Sequence, residues 1–170
     1  MKTSGITLPV TTDAGRFVAR YSEKGLVKLD FPANGGRVGL PPGQDARQRV
    51  PATIRRWHRA TTAALKTILA GNPPKRFPPL APEGTEFQKS VWNAMRKISI
   101  GKTKSYGEIA RSIGKPKAVR AVGGACGANP IPVLVPCHRV LAANRKIGGF
   151  SGGLNWKYEL LAREGITISS

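Results

Sequence analysis

The sequence predicts a small α/β N-terminal domain, an antiparallel sheet plus a helix, followed by an all-α C-terminal domain with a winged-helix-like helix-turn-helix. Three observations predict this order. Strand-like alternation is confined to the first 31 residues, prolines cluster at 71–82, and apolar residues recur at helical spacing after that cluster. We place the boundary in this proline-rich linker, so residues 1–82 form the first domain and 83–170 the second.

The first domain starts with three short strands. Apolar and polar residues alternate within them, and Glu23-Lys24-Gly25 has the composition of a hairpin turn. Residues 32–50 are rich in Gly, Pro and Arg without periodicity, which predicts a loop. The strands are predicted at 6–11, 16–21 and 26–31.

One helix is predicted to follow, over 51–70, with Pro51 in its first turn, where a missing N–H breaks no hydrogen bond. Its apolar residues follow the helical period. They are Ile54, Trp57, Leu65, Ile68 and Leu69.

Two capping boxes mark the next two helices. Thr85 with Gln88, and Ser105 with Glu108, have the spacing at which a side chain and a backbone N–H cap each other. The apolar faces that follow are Phe87, Val91, Met95 and Ile98 in one helix, and Tyr106, Ile109, Ala110 and Ile113 in the other.

A tight turn at Gly114-Lys115-Pro116 leads into a third helix, at about 117–127, which completes a helix-turn-helix. Arg120 is the only long side chain beside an arc of very small ones, so this helix is either a tightly packed buried helix or one pressed into a DNA groove. The small arc is Ala118, Ala121, Gly124 and Ala125, and the opposite side is Val119, Val122 and Cys126.

The charge predicts a polyanionic partner. The chain has 28 Lys and Arg against 9 Asp and Glu, a net charge of +19, and both halves share the excess. Nucleic acid is the first candidate and an acidic membrane surface the second. No apolar run is long enough to span a membrane, two cysteines exclude a disulfide framework, and no secretory segment is evident, so we expect a reducing, intracellular compartment.

The candidate chemistry is concentrated at Cys137 and His138. They end a proline-rich segment, 129–139, that is predicted to be extended and buried. A cysteine nucleophile needs a base, and the base needs an orienting carboxylate, for which we choose Glu164 at the end of a helix predicted at 154–164. The alternative is an inert buried thiol. With two cysteines and two histidines, a structural zinc site is not expected.

The sequence resembles the O6-alkylguanine-DNA alkyltransferases over about residues 84–165. The resemblance rests on the highly specific run 136–140, Pro-Cys-His-Arg-Val, and on further blocks in register with it. These are Asn129-Pro130-Ile131-Pro132, the run 120–125, Ser105-Tyr106-Gly107, Ser151-Gly152-Gly153 and Glu164.

The resemblance implies a catalytic role for each of five residues. Cys137 would accept the alkyl group, His138 would deprotonate it through a water, and Glu164 would orient His138. Asn129 would hold the turn that positions the active-site loop. Tyr106 would bond the flipped guanine and help to protonate it as it leaves.

The resemblance also implies how DNA is held. Arg120 would fill the gap left by the flipped nucleotide, while backbone carbonyls of Cys137 and Val140 would read the guanine amino group. Ser151, on a glycine-rich loop at 148–153, would contact O6. Further contacts are expected from Phe150 to the base and from Ser105, Tyr106, Ala118, Ala121 and Ala125 to the DNA.

These roles amount to irreversible repair of double-stranded DNA that contains O6-alkylguanine, one alkyl group per protein molecule, without a metal or cofactor. O4-alkylthymine and cooperative loading on DNA stay open, and we expect a monomer that is cytoplasmic in a prokaryote or nuclear in a eukaryote. Phe150 stands where many members have Tyr, and Ser99 where proline is common. The competing interpretations are an inactive relative, which would lack Cys137, a helix-turn-helix regulator, and a cysteine hydrolase.

Overall fold

The structure is a computed structural model that describes residues 5–33 and 49–168. An antiparallel sheet in the order β1-β2-β3 opens the chain, which confirms the three predicted strands. Phe17, Ala19 and Tyr21 alternate into the core from the central strand. Most of the predicted loop, residues 34–48, lies outside the described residues. The strands are β1 (Ile6–Thr12), β2 (Gly15–Ser22) and β3 (Gly25–Asp30).

Helix α1 (Ala52–Leu69) has the predicted apolar side against the sheet, although Trp57 is only half-buried. Pro51 is the N-cap residue, one position before the first turn in which we expected it, because its backbone is extended (ψ 147°). The Tyr21 hydroxyl donates to Thr61 at 2.9 Å and lies 2.8 Å from His58 Nδ1. These contacts give His58, the chain's other histidine besides His138, a role in packing.

The proline-rich segment after α1 is docked on the sheet. The Leu26 N–H donates to the Pro79 carbonyl and the Ala81 N–H to the Leu26 carbonyl, each at 2.8 Å. The Leu29 N–H donates to the carbonyl of Pro130 at 2.9 Å, so β3 also contacts the segment that leads to Cys137. One continuous set of buried apolar residues joins the sheet to the later helices.

The second half is mainly helical, and both predicted capping boxes are formed. A short parallel pairing of β4 with β5, which the sequence did not suggest, joins the residues just before α3 to those just after the turn Cys137–Arg139. No helix within the two described ranges is both long and apolar enough to cross a membrane. The elements are α2 (Glu86–Arg96), β4 (Lys104–Ser105), α3 (Tyr106–Ser112), α4 (Val119–Gly127), a 3-10 turn (Cys137–Arg139), β5 (Val140–Leu141), a second 3-10 turn (Ala143–Arg145) and α5 (Leu154–Arg163).

Candidate active site and nucleic-acid interface

The segment from Asn129 to Cys137 is buried, as predicted, but it is not extended. Asn129 Nδ2 donates to the Val135 carbonyl at 2.8 Å, and its Oδ1 accepts from the Ile131 N–H at 3.0 Å. The chain turns between them, where Val133 has a positive φ of 72°. Buried backbone groups need hydrogen-bond partners, and the amide side chain supplies them where no neighbouring strand does. The side chain of Asn129 therefore shapes the loop that ends at Cys137.

His138 and Glu164 are in direct contact, as the sequence predicted. His138 Nε2 lies 2.8 Å from Glu164 Oε1, and the two side chains are 0% and 1% exposed. Because an ionised carboxylate only accepts hydrogen bonds, Nε2 carries the proton, which leaves the lone pair of a neutral ring on Nδ1. Nδ1 is buried and has no partner within the part of the chain that the structure describes. Burial lowers the pKa of His138, in opposition to the hydrogen bond and charge of Glu164.

Arg139, to which sequence analysis assigned no role, completes this cluster. Its Nη2 lies 2.7 Å from Glu164 Oε1, its Nε donates to Oε2 at 2.9 Å, and its Nη1 donates to the Ile98 carbonyl at 2.7 Å. Burial by itself would raise the pKa of Glu164, but His138 and Arg139 outweigh it and lower that pKa to about 2. Glu164 is therefore ionised at neutral pH.

Cys137 opens onto a cavity of about 300 Å³ between α3, α4 and the glycine-rich loop. Burial raises the pKa of Cys137 to about 11, although Asn129 and the charge of Lys157 oppose the rise. The thiol is therefore protonated at neutral pH and needs a base before it can attack a substrate. The cavity is lined by Tyr106, Gly123, Cys126, Gly127, Cys137, Gly149 and Phe150.

A buried lysine, which sequence analysis missed, joins two walls of this site. Lys157 is 1% exposed, and its Nζ donates to the carbonyls of Val140 at 2.7 Å and Gly149 at 3.1 Å. Burial lowers its pKa to about 8. The helical spacing of Leu154, Tyr158 and Leu161 predicts that these residues form the apolar face of α5. This prediction is wrong in two positions, because Leu154 and Tyr158 are 45% and 38% exposed. The buried face is Lys157, Leu160 and Leu161, and this i, i+3, i+4 spacing was the available signal.

Tyr106 stands at the first position of α3 and faces the glycine-rich loop. A Cβ added to Gly148 would lie 2.9 Å from the Tyr106 hydroxyl, and Gly148 has a positive φ of 68°, so glycine is required there. Burial raises the pKa of Tyr106, and the charges of Cys126 and Cys137 add to the rise. The hydroxyl is therefore protonated at neutral pH and can donate a hydrogen bond.

The other residues predicted to contact substrate or DNA either have hydrogen-bond partners within the protein or do not line the cavity. The Val140 carbonyl already accepts a hydrogen bond from Lys157, although a carbonyl oxygen has two lone pairs. Ser151 is exposed and is not one of the cavity-lining residues. Ser105 is half-buried, and its hydroxyl accepts the capping hydrogen bond from the Glu108 N–H.

The aromatic ring of Phe31, directly after β3, braces the glycine-rich loop. The Phe31 ring lies 5.7 Å from the ring of Phe150 and 4.9 Å from that of Trp156. A Cβ at Gly152 would approach the Phe31 ring to 2.6 Å, so loop and ring are in close contact. The first half of the chain thereby supports one wall of the cavity.

We expect Phe31→Ala to destabilise the protein by about 2–3 kcal/mol, less than a fully buried Phe because the ring is only half-buried. If Cys137 has the role that the resemblance implies, its labelling by an O6-alkylguanine should also slow about tenfold, because loss of the ring frees Phe150. Urea denaturation and the labelling rate measure the two effects. Phe77→Ala is the matched control, since Phe77 is 42% exposed and is not one of the residues that line the cavity. Equal effects in both variants would contradict the bracing role.

Helix α4 shows which residues a DNA surface could contact. Arg120, Ala121 and Gly124 are exposed, and Ala118 is half-buried at the N-cap. Two placements on this helix were wrong. Ala125 is only 3% exposed, and its carbonyl accepts a hydrogen bond from Trp92 Nε1 at 2.8 Å. Val119 is 40% exposed instead of facing the core.

A helix-turn-helix that exposes Arg120 among small residues lies next to a cavity lined by Cys137, and a buried His138–Glu164 pair follows Cys137 in the chain. Together these features define a class: nucleic-acid-binding proteins with a cysteine nucleophile. The comparisons with known proteins narrow this class. Residues 86–166 match the family model of the 6-O-methylguanine DNA methyltransferase DNA-binding domain.

Relatives match nearly the whole chain. A methylated-DNA–protein-cysteine methyltransferase of Methanosarcina acetivorans is 43% identical over 151 residues, which cover 89% of this chain and 92% of the relative. The protein of the same name from Methanosarcina barkeri is 39% identical, with 91% and 94% covered. The crystal structure of Mycobacterium tuberculosis OGT in complex with DNA matches with a TM-score of 0.69 at 32% identity and covers 94% of this chain and 92% of that one.

The chain belongs to the methylated-DNA–protein-cysteine methyltransferase family. This confirms the resemblance, the predicted fold class and the predicted enzyme class.

Proposed function

We propose that the protein repairs alkylated DNA by moving the alkyl group of O6-alkylguanine onto its own Cys137, once per molecule. The observation that carries the proposal is the Cys137 thiol, which lines a cavity beside Tyr106 and precedes the buried His138–Glu164 pair in the chain. The names of the relatives and the DNA complex of the M. tuberculosis protein support DNA as the partner.

The chemistry follows from where the protons lie. The thiol proton passes through a water to Nδ1 of His138, the imidazolium is stabilised by Glu164, and the thiolate attacks the alkyl carbon. An S–C bond forms as the C–O6 bond breaks, and the guanine anion takes a proton from the Tyr106 hydroxyl. That hydroxyl regains a proton from solvent as His138 releases one. The thioether is stable, so each molecule acts once.

The substrate contacts that the resemblance implies fit this site, provided that the loop with Ser151 moves. The backbone carbonyls of Cys137 and Val140 accept from the guanine amino group, the latter with its remaining lone pair. Phe150 packs on the base. Ser151 reaches O6 only when its loop folds over the bound base, because its side chain lies outside the cavity.

The DNA is held from the minor groove by α4. An alkylated O6 lies inside the base stack, so the nucleotide must be flipped out at a cost of a few kcal/mol. Ala118, Ala121 and Gly124 let the helix approach closely, and Arg120 enters the stack and offsets part of that cost. Ser105 lies at the adjoining start of α3, where its neighbour Tyr106 meets the base. The net charge of +19 adds sequence-independent, salt-dependent affinity.

The decisive experiment is intact mass spectrometry after incubation with duplex DNA that contains O6-methylguanine, with the unmodified duplex as control. We expect a gain of one methyl group, mapped to Cys137 and saturating at one equivalent. Repeated turnover by unmodified protein would refute the single-transfer mechanism and favour a hydrolase. The same measurement with O4-methylthymine decides whether that base is also a substrate.

Arg120→Ala should slow transfer from duplex DNA by about tenfold or more, which corresponds to about 1.4 kcal/mol of lost help with base flipping. The rate with free O6-benzylguanine should not change, since no base has to leave a stack. Lys115→Ala, on the exposed turn before α4, controls for the loss of one positive charge. Equal slowing with duplex and free base would contradict insertion into the stack.

The remaining proposals concern the protein as a whole. We keep the division into residues 1–82 and 83–170, with Phe31 as a contact across it. The protein acts as a monomer, and its archaeal and bacterial relatives support a cytoplasmic location. Sedimentation of the free protein tests the first of these two statements.

A further inference from the structure

We infer that Arg139 is a positioning residue that keeps His138 neutral by sharing the negative charge of Glu164. The inference rests on the proposed alkyl transfer to Cys137 and deepens it, since it assigns a function to a side chain that touches neither the thiol cavity nor the DNA face.

The first step is geometric. The carboxylate of Glu164 is held from two sides: Oε1 accepts from His138 at 2.8 Å and from Arg139 Nη2 at 2.7 Å, while Oε2 accepts from Arg139 Nε at 2.9 Å. The third nitrogen of the guanidinium, Nη1, is fixed on the Ile98 carbonyl at 2.7 Å. With all three nitrogens bound, the guanidinium is locked in this orientation.

The second step concerns charge balance. The side chains of Arg139, Glu164 and His138 are 7%, 1% and 0% exposed, so solvent screens them weakly. A buried carboxylate with the imidazole as its only partner would favour the imidazolium. The permanent charge of Arg139 supplies the counter-ion instead. The ring can therefore stay neutral, with Nδ1 free to accept the thiol proton.

The third step places the other charged and titratable groups around the ring. Lys157, on α5, adds a second positive charge, and Cys137 precedes His138 in the chain. Cys126 of α4 and Tyr106 of α3 line the thiol cavity, which His138 does not. Burial lowers the pKa of His138, Glu164 raises it, and the charges of Arg139 and Lys157 lower it again. Only Arg139 among these cations contacts the carboxylate.

The test uses Arg139→Met and Arg139→Lys, with labelling of Cys137 by free O6-benzylguanine followed from pH 5.5 to 9. We expect Arg139→Met to react at least tenfold more slowly at pH 7, with the acidic limb of its rate profile moved to higher pH. Arg139→Lys keeps a charge, so its limb should stay near that of the wild type while its rate falls less. Arg59→Met, an exposed position on α1, should match the wild type in both respects.

Nitrogen-15 spectra of His138 supply a readout that requires no alkyl transfer. In the wild type at pH 7 we expect a neutral ring protonated on Nε2, and in Arg139→Met a ring that becomes protonated at higher pH. An imidazolium in the wild type at pH 7 would overturn the inference, as would slower labelling in both variants without a shifted limb.

The two proposals fail in different ways. If the wild type gains no alkyl group on Cys137, the proposed function fails, while the spectra still report on Arg139. If Arg139→Met does not fold, the spectrum of the wild type and the rate profile of Arg139→Lys decide the question.

Discussion

Protein that carries Cys137→Ala should gain no methyl mass from DNA containing O6-methylguanine, and it should bind that DNA as tightly as the wild type. The loss is complete because no other described group near the cavity can act as the nucleophile. Cys126 also lines the cavity, but burial raises its pKa to about 12, and its Sγ donates to Met95 Sδ at 3.5 Å. Binding should persist because the DNA contacts that we propose for Arg120 and the small residues of α4 do not involve the thiol.

Cys126→Ala is the matched control. It removes the second of the two free thiols and should leave one methyl group on Cys137. Mass spectrometry of both variants, with fluorescence anisotropy for DNA binding, completes the comparison. A methyl group on Cys126 in the Cys137→Ala variant would contradict the assignment of the nucleophile, and a loss of DNA binding would show that Cys137 is structural.

Glu164→Gln should lower both stability and transfer rate, with the second largest effect. It leaves the buried guanidinium of Arg139 without its counter-ion, which costs about 3 kcal/mol or more when one partner of such a pair is removed. It also removes the charge that stabilises the imidazolium of His138, so we expect labelling of Cys137 to slow by about 10²-fold or more. Thermal denaturation and the rate of labelling by O6-benzylguanine measure the two effects.

The pH dependence of stability distinguishes loss of the Glu164–Arg139 ion pair from a general loss of packing in the variant Glu164→Gln. The pKa of Glu164 is lowered from 4.5 to about 2 in the folded protein, so its contribution is fully present above pH 4.5. That contribution is lost as the pH falls toward 2. The stability of the wild type should therefore drop more steeply across this window than that of Glu164→Gln.

Glu159→Gln is the control on the same helix. Glu159 forms a surface pair with Arg163 at 2.9 Å and is 47% exposed, so its replacement should cost less than about 1 kcal/mol. If Glu159→Gln and Glu164→Gln lose equal stability and equal labelling rate, the buried cluster of His138, Arg139 and Glu164 has no special role.

Cys137 and Glu164, the residues that the two main variants replace, could both be chosen from the sequence. The sequence predicted the ends of the helices better than it predicted which helix faces are buried. Capping boxes at Thr85 and Ser105 are local patterns, and both are formed. The faces of α4 and α5 depend on which helices pack against them. Ala125 is buried and its carbonyl binds Trp92 of α2, and the buried Lys157 replaces Leu154 and Tyr158 on the inner side of α5.

By itself, the sequence determined the order of the first three strands and of the helices, the family, and the set of Cys137, His138 and Glu164, since residue type, spacing and local capping are all readable along the chain. Only the tertiary structure decided that Arg139 clamps Glu164, that Lys157 joins Val140 to the glycine-rich loop, and that a ring from the first sheet braces that loop. The physical reason is that a charged or aromatic side chain is buried only where distant segments bring it a partner, and those partners have no fixed spacing in sequence.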